Sequence, residues 1–393
     1  MGIVNAALNA YASIARPFAC IDLDAMDWNI SMVNKLAGSK KIRIATKSVR
    51  SVELMQYIAE RLPNFNGWMT YDCTETLFLL EKGFDHLLLG YPQMERESVL
   101  LLLPYIENGS KVVFMVDCEE QWKFLNDIGE KSSVKLEICI DLNMSDDLKW
   151  IYFGTRRSSL KSLKDVEMLL QKCNGFSSTE LVGVMGYEAQ IAGVPDRPNV
   201  KWQGPVIRRL KKSSTKKVGA YRKAAVEMIR QTCQTLRFVN GGGSGSLDFT
   251  PQAEEVTEVT VGSAFYFPSL FSRYDETPFK PATAFALKVT RKPTDGFIVC
   301  HGGGYIASGA SGNDKAPVPI WPANLALLRD EGAGEVQTPL ADKDRKLQIG
   351  DTVFFRHAKA GELCERFTEL HARRGERYVK SYKTYRGEGG CFL

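Results

Sequence analysis

A (β/α)8 barrel (TIM barrel), followed by a smaller and mostly β domain, is the fold that this 393-residue sequence predicts. Three observations point to it. Short apolar, β-branched runs alternate with stretches of helical period through the first two thirds of the chain, eight times over. After Pro268 the pattern changes to short strands between Pro, Gly, Asn and Asp turns. No G-x-G-x-x-G follows the first run, where a doubly wound nucleotide-binding sheet would carry it. The predicted domains are therefore a barrel over 1–268 and a β domain over 269–393.

The predicted barrel strands are Phe18–Asp22, Ile42–Thr46, Gly67–Tyr71, His86–Gly90, Lys111–Val116, Leu136–Leu142, Leu181–Gly186 and Leu236–Asn240. Amphipathic helices fill the connections: Ala25–Ala37, Ser51–Arg61, Cys73–Lys82, Gln93–Asn108, Glu119–Gly129, Leu160–Cys173 and Val218–Thr235. Eight such units are the signature of a closed parallel barrel. In the second domain Thr283–Thr290, Gly296–His301, Gly334–Thr338 and Thr352–Phe355 read as strands, and the tail from His371 as a last strand with a frayed end. The segment Arg197–Lys223 holds ten basic residues and no acidic one. It reads as a solvated loop leading into the Val218 helix, or as a mobile cationic lid over the barrel mouth.

Composition narrows the function classes. A net charge of +5, without any nucleic-acid-binding pattern, makes no case for nucleic acid as a partner. Nine cysteines, an odd number without a C-x-x-C pair, argue for reduced thiols rather than disulfides or a thiolate zinc site. The longest aliphatic run, Val99–Leu103, stops at Pro104, too short to span a membrane. The first residues lack the charged and apolar regions of a secretion signal, so a soluble, cytoplasmic protein is expected.

Barrels of this kind carry their chemistry at the C-terminal strand ends. Those ends hold Lys47, Tyr71 with Asp72, Tyr91, Asp117, Asp141, Tyr187 with Glu188, and the glycine run after Asn240. Lys47 is either a snorkelling side chain or a desolvated amine able to form a Schiff base with a carbonyl. The run NGGGSGSL, Asn240–Leu247, could be a flexible linker, but it sits inside the repeat, where glycine amides and serine hydroxyls can cradle a phosphate. A Schiff-base lysine with a phosphate loop suits pyridoxal 5'-phosphate, and equally an aldolase acting on sugar phosphates.

PFACIDLDAMDWNI followed by RIATKSVRS, with GVMGYEAQIAG (Gly183–Gly193) and NGGGSGS in order, resembles the alanine racemase-like, fold-type III pyridoxal-phosphate enzymes. The resemblance spans essentially the whole chain and is nearest to the D-threonine aldolase and D-serine dehydratase branch. It implies that Lys47 holds the cofactor as a Schiff base, that Gly242, Gly243 and Ser244 bind its phosphate, and that Tyr187 lies near its ring. Arg156 or Arg157, with Arg157 preferred, falls where the family carries a cofactor arginine. Metal-dependent members carry His-x-Cys or His-x-Asp near the C-terminus. Here His357 is followed by Lys359, an ammonium that cannot be a ligand, and Glu362 and Cys364 lack the spacing, so no metal site is expected. Lys359 is expected to take the cation's place, with His357 as acid/base.

The resemblance further implies a homodimer, with the glycine-rich segment His301–Ser311 facing the partner's barrel mouth. The expected activity is that of a lyase on a small D-configured β-hydroxy amino acid, by retro-aldol cleavage or by dehydration and deamination. The alternatives are an amino acid racemase, a non-catalytic pyridoxal-phosphate binding protein and a Schiff-base aldolase without cofactor.

Overall fold

The computed structural model describes residues 9–148, 151–198, 203–275 and 277–392. Its centre is a closed barrel of eight parallel strands: Lys41–Ala45, Phe65–Thr70, Leu87–Leu89, Val112–Val116, Leu136–Asp141, Thr179–Gly186, Phe238–Gly241 and Glu258–Val261. The last strand closes on the first, with Val259 opposite Ile42. Alternation along the strands sorts their side chains. Leu87, Leu89, Val112, Phe114, Val116, Ile138 and Ile140 pack outward against the helices, while Leu88, Val113, Met115, Cys139, Val182 and Met185 fill the barrel interior as a separate cluster. A bidentate ion pair, Arg43 with Glu258 at 2.7 and 3.0 Å, lies inside as well. Asn66 and Asn240 donate to the same carboxylate, so the buried charge is fully bonded.

Two strands differ from the sequence-based expectation. Phe18–Asp22 is not a barrel strand: it pairs antiparallel with Thr283–Ala286 and parallel with Leu370–Arg373, at the middle of the β-rich sheet. The eighth barrel strand is Glu258–Val261, whose Glu and Thr hide it from an apolar-run reading. Lys47 therefore follows the first barrel strand, and the glycine run the seventh. Asp22 accepts from the Asp24 and Ala25 amides and so caps the helix Leu23–Ala37. That helix buries Met26, Asn29, Ile30, Val33 and Ala37 along one stripe.

The β-rich region is a nine-stranded sheet whose path runs Leu325–Leu327, Gln337–Asp342, Phe297–His301, Thr283–Thr294, Phe18–Asp22, Glu369–Arg374 and Arg377–Lys383. Thr352–Arg356 branches from Thr283–Thr294 and carries Val318–Trp321. The tail is packed rather than frayed. Its two strands form a hairpin, and Tyr385 is buried with its hydroxyl 2.9 Å from Glu75.

The basic segment is not a loop either. A single helix covers Gln203–Thr232, and Lys211, Arg208, Lys217 and Lys223 pair with Asp196, Asp275, Asp146 and Glu254 at 2.7–3.5 Å. Residues 199–202 of that segment lie outside the described residues. Among the described residues no helix is long and apolar enough to cross a membrane.

Candidate active site

The C-terminal strand ends converge on a cavity of about 680 Å³. Lys47, Tyr71, Tyr91, Arg157, Tyr187, Gly242, Gly243 and Ser244 line it from the barrel, and Ser308, Lys359 and Glu362 from the β-rich region.

Lys47 sits in a single tight turn, Thr46–Ser48, directly after the first barrel strand. Its Nζ donates to the Tyr91 hydroxyl at 2.6 Å. The backbone of the lysine is clamped from outside. Arg50 Nε donates to its carbonyl at 3.0 Å, and Arg50 pairs with Glu365 of the β-rich region at 2.5 Å. Gly361 approaches the same carbonyl so closely that a Cβ there would lie 1.8 Å from the oxygen. Only glycine fits that contact, which ties the lysine to the second region.

Of the two candidate arginines, Arg157 lines the cavity, while Arg156 lies over the Tyr152 ring at 4.3 Å. Arg157 is held by Asp141 at 2.8 Å and by the Gly90 carbonyl at 3.1 Å. Its guanidinium faces the Tyr91 and Tyr187 rings at 5.4 and 5.6 Å. Burial lifts the Asp141 carboxyl to about 6 against the opposing pull of Arg157, and among the described residues its second oxygen has no partner. Burial pushes the Tyr187 phenol up to about 12. At Tyr91 burial acts in the same direction, but Lys47 and Arg157 outweigh it and lower the phenol.

The glycine run behaves in two parts. Gly242 lines the cavity, but its N–H donates to Glu188 at 2.8 Å and so sets the turn instead of being offered to a ligand, and its φ of +75° suits glycine. The Gly243 amide donates to Ser246 Oγ at 3.1 Å, and Ser244 Oγ accepts from the Ala264 amide at 2.9 Å. Behind the turn lies a buried network that the strand-end reading missed. Arg222 is completely buried and pairs with Glu188 and, at 2.8 Å, with Glu255; Glu188 also accepts from Thr250 at 3.0 Å. The signal was available: Arg222 falls on the apolar stripe of its helix with Val218, Ala225, Val226 and Ile229.

The structure does not bring His357 to the cavity. It is 2% exposed and absent from the lining, and among the described residues neither ring nitrogen is in hydrogen-bond geometry with a partner. Burial, helped by Arg356, holds its pKa down to about 3. An imidazole so placed is neutral and shut away from the cavity, which does not fit the expected acid/base role. Lys359 does line the cavity, bonded to Ser308 Oγ at 2.8 Å and 3.5 Å from Glu362. Glu362 in turn holds Ser308 through its amide at 2.9 Å and its hydroxyl at 2.5 Å, and Cys364 is buried against the Val49 carbonyl. Ser308 belongs to the glycine-rich segment expected to face a partner, yet it reaches the cavity of its own chain. Among the described residues no group of three His, Cys, Asp or Glu side chains is placed to hold a metal.

The family model of the alanine racemase N-terminal domain matches residues 21–269. The chain belongs to the alanine racemase N-terminal domain family. Among solved structures this family member is similar to D-threonine aldolase from Filomicrobium marinum, with a TM-score of 0.80 at 15% identity over 96% of each chain. D-threo-3-hydroxyaspartate dehydratase from Delftia sp. HT23 matches with a TM-score of 0.77 at 16% identity, over 95% of this chain and 98% of that one. Alanine racemase from Bacillus anthracis matches with a TM-score of 0.65 at 14% identity, over 95% and 98%. No curated protein matches. The resemblance to fold-type III pyridoxal-phosphate enzymes, and the barrel with a β-rich region that it implied, therefore hold.

Proposed function

We propose that this family member is a pyridoxal-phosphate-dependent lyase acting on a small D-configured β-hydroxy amino acid, by retro-aldol cleavage or by dehydration and deamination. The observation that carries the reading is Lys47, at a strand end, with its amine in a glycine-floored cavity beside Arg157 and Tyr187. The floor fits a phosphate-bearing ring because side chains are kept out of it. A Cβ at Gly243 would stand 3.1 Å from the Tyr187 ring, and one at Gly262 2.6 Å from Ser48. Lys47 would hold the aldehyde carbon. Gly243 and Ser244, on the turn set by Gly242, would hold the phosphate, with Arg157 and Tyr187 beside the ring.

When bound, the cofactor supplies an electron sink for the charge developing at the substrate Cα. The chain's own residues do the rest. Arg157, fixed by Asp141 and Gly90, supplies a positive charge that cannot be deprotonated. Lys359 projects from the β-rich wall and is positioned, with Ser308, to hold a substrate hydroxyl or carboxylate where a divalent ion would otherwise sit. The names of the D-threonine aldolase and hydroxyaspartate dehydratase neighbours support a D-configured hydroxy amino acid, and the reading keeps the homodimer as its expected assembly.

Protein incubated with pyridoxal phosphate, a chelator and D-threonine, D-serine or D-3-hydroxyaspartate should release either an aldehyde with glycine or a keto acid with ammonia. Interconversion of D- and L-alanine without either product would replace the lyase by a racemase.

A further inference from the structure

Tyr91 lines the cavity beside Lys47 and has no role in the proposed function. Its hydroxyl, 2.6 Å from Nζ, is the hydrogen-bond partner of that amine, and among the described residues no carboxylate lies within ion-pair distance of it. Lys47 Nζ also stands 5.1 Å from the centre of the Tyr91 ring, and Arg157 faces the same ring at 5.4 Å. A phenol between two cations is better placed to be a phenolate than one in water. Asp141 and Tyr187 are the other titratable groups acting on this cluster. Asp141 works against ionisation of Tyr91, but its charge is engaged by Arg157 at 2.8 Å.

We propose that Tyr91 is a catalytic residue, the base that takes the proton from the Lys47 ammonium so that the amine can attack an aldehyde carbon. The inference rests on the reading of Lys47 as the Schiff-base lysine. In the step, one Nζ–H bond breaks and one Oη–H bond forms. The electron pair of the broken bond stays on Nζ as its lone pair, and an ammonium–phenolate pair becomes an amine–phenol pair without change of net charge. Lys47 and Arg157 together lower the Tyr91 phenol, which favours the phenolate from which the step starts.

The test uses cofactor-free full-length protein. Ultraviolet difference titration should show one tyrosine ionising below the rest in the wild type. That transition should be absent in Tyr91→Phe and shifted to higher pH in Lys47→Met. In parallel, the reactivity of Lys47 is followed by reductive methylation with formaldehyde and cyanoborohydride, read by peptide mass across a pH series. In Tyr91→Phe its rate near neutral pH should fall by roughly a hundredfold, as for loss of a general base, and recover at high pH. A uniform loss at every pH would make Tyr91 a positioning residue only. An unchanged titration or an unchanged rate would likewise overturn the proposal. Neither arm uses pyridoxal phosphate, so failure of the cofactor reading would leave this result standing, and the reverse.

Discussion

The floor and the outer wall of the cavity are built by opposite means. The floor rests on buried charge: Arg222 is completely enclosed between Glu188 and Glu255, and Glu188 reaches through to the Gly242 amide. The wall rests on partly exposed charge, with Lys359 and Glu362 3.5 Å apart at 38% and 30% side-chain exposure. Buried pairs are costly to break and hold one geometry, whereas exposed pairs contribute little and can be exchanged. The difference teaches that the part of the site read as cofactor-binding is fixed by the core, while the part read as substrate-binding can vary without endangering the fold.

Three variants would break or sharpen that contrast. Arg222→Met leaves two buried carboxylates without their partner, and should lower the unfolding free energy by about 3–5 kcal/mol in a denaturant titration. A loss below about 1 kcal/mol would mean that the floor is no more rigid than the wall. His357 gives the next effect. Its folded pKa of about 3 lies below the usual 6.5, so the unfolded chain binds a proton that the folded chain refuses. Its contribution is intact above pH 6.5 and is lost as pH falls towards 3, at about 1.4 kcal/mol per pH unit. At pH 5 that amounts to about 2 kcal/mol. Asp141, raised to about 6, acts in the opposite sense, losing stability as pH rises towards 6. The comparison is therefore between wild type and His357→Leu, whose stability should decline less steeply between pH 7 and 5. Equal slopes would show that the imidazole is not sealed.

The smallest effect on the fold belongs to the wall. Lys359→Ala should change stability by no more than about 0.5 kcal/mol. It should raise KM for a hydroxy amino acid roughly tenfold, as expected for losing one charge-assisted hydrogen bond. An unchanged KM would leave Lys359 outside the substrate's reach.

Much of this was legible in the chain itself. Seven of the eight barrel strands announced themselves as apolar runs, and Lys47, Tyr91, Tyr187 and the glycine run all lie at the strand ends where the sequence pattern put them, while Arg157 was pointed to only by the family resemblance. What was not legible depends on pairing between distant segments. Phe18–Asp22 has the same apolar run and acidic end as a barrel strand, and only its pairing with Thr283–Ala286 and Leu370–Arg373 sets it apart. Glu258–Val261 was hidden because its glutamate is paid for by Arg43, a residue 215 positions away. His357 matched a motif, yet burial by its neighbours, which no local pattern reports, removed it from the cavity. The approach of Gly361 to the Lys47 carbonyl is likewise a meeting of distant parts, where a lone glycine in sequence gives no warning.

The most direct test of the central claim is the visible absorption spectrum of the purified protein with added pyridoxal phosphate, for wild type and Lys47→Ala. The account predicts a band in the wild type that borohydride bleaches and D-threonine or D-serine shifts, and no such band in the variant. A wild type that stays colourless, or a variant with the same bleachable band, would contradict it.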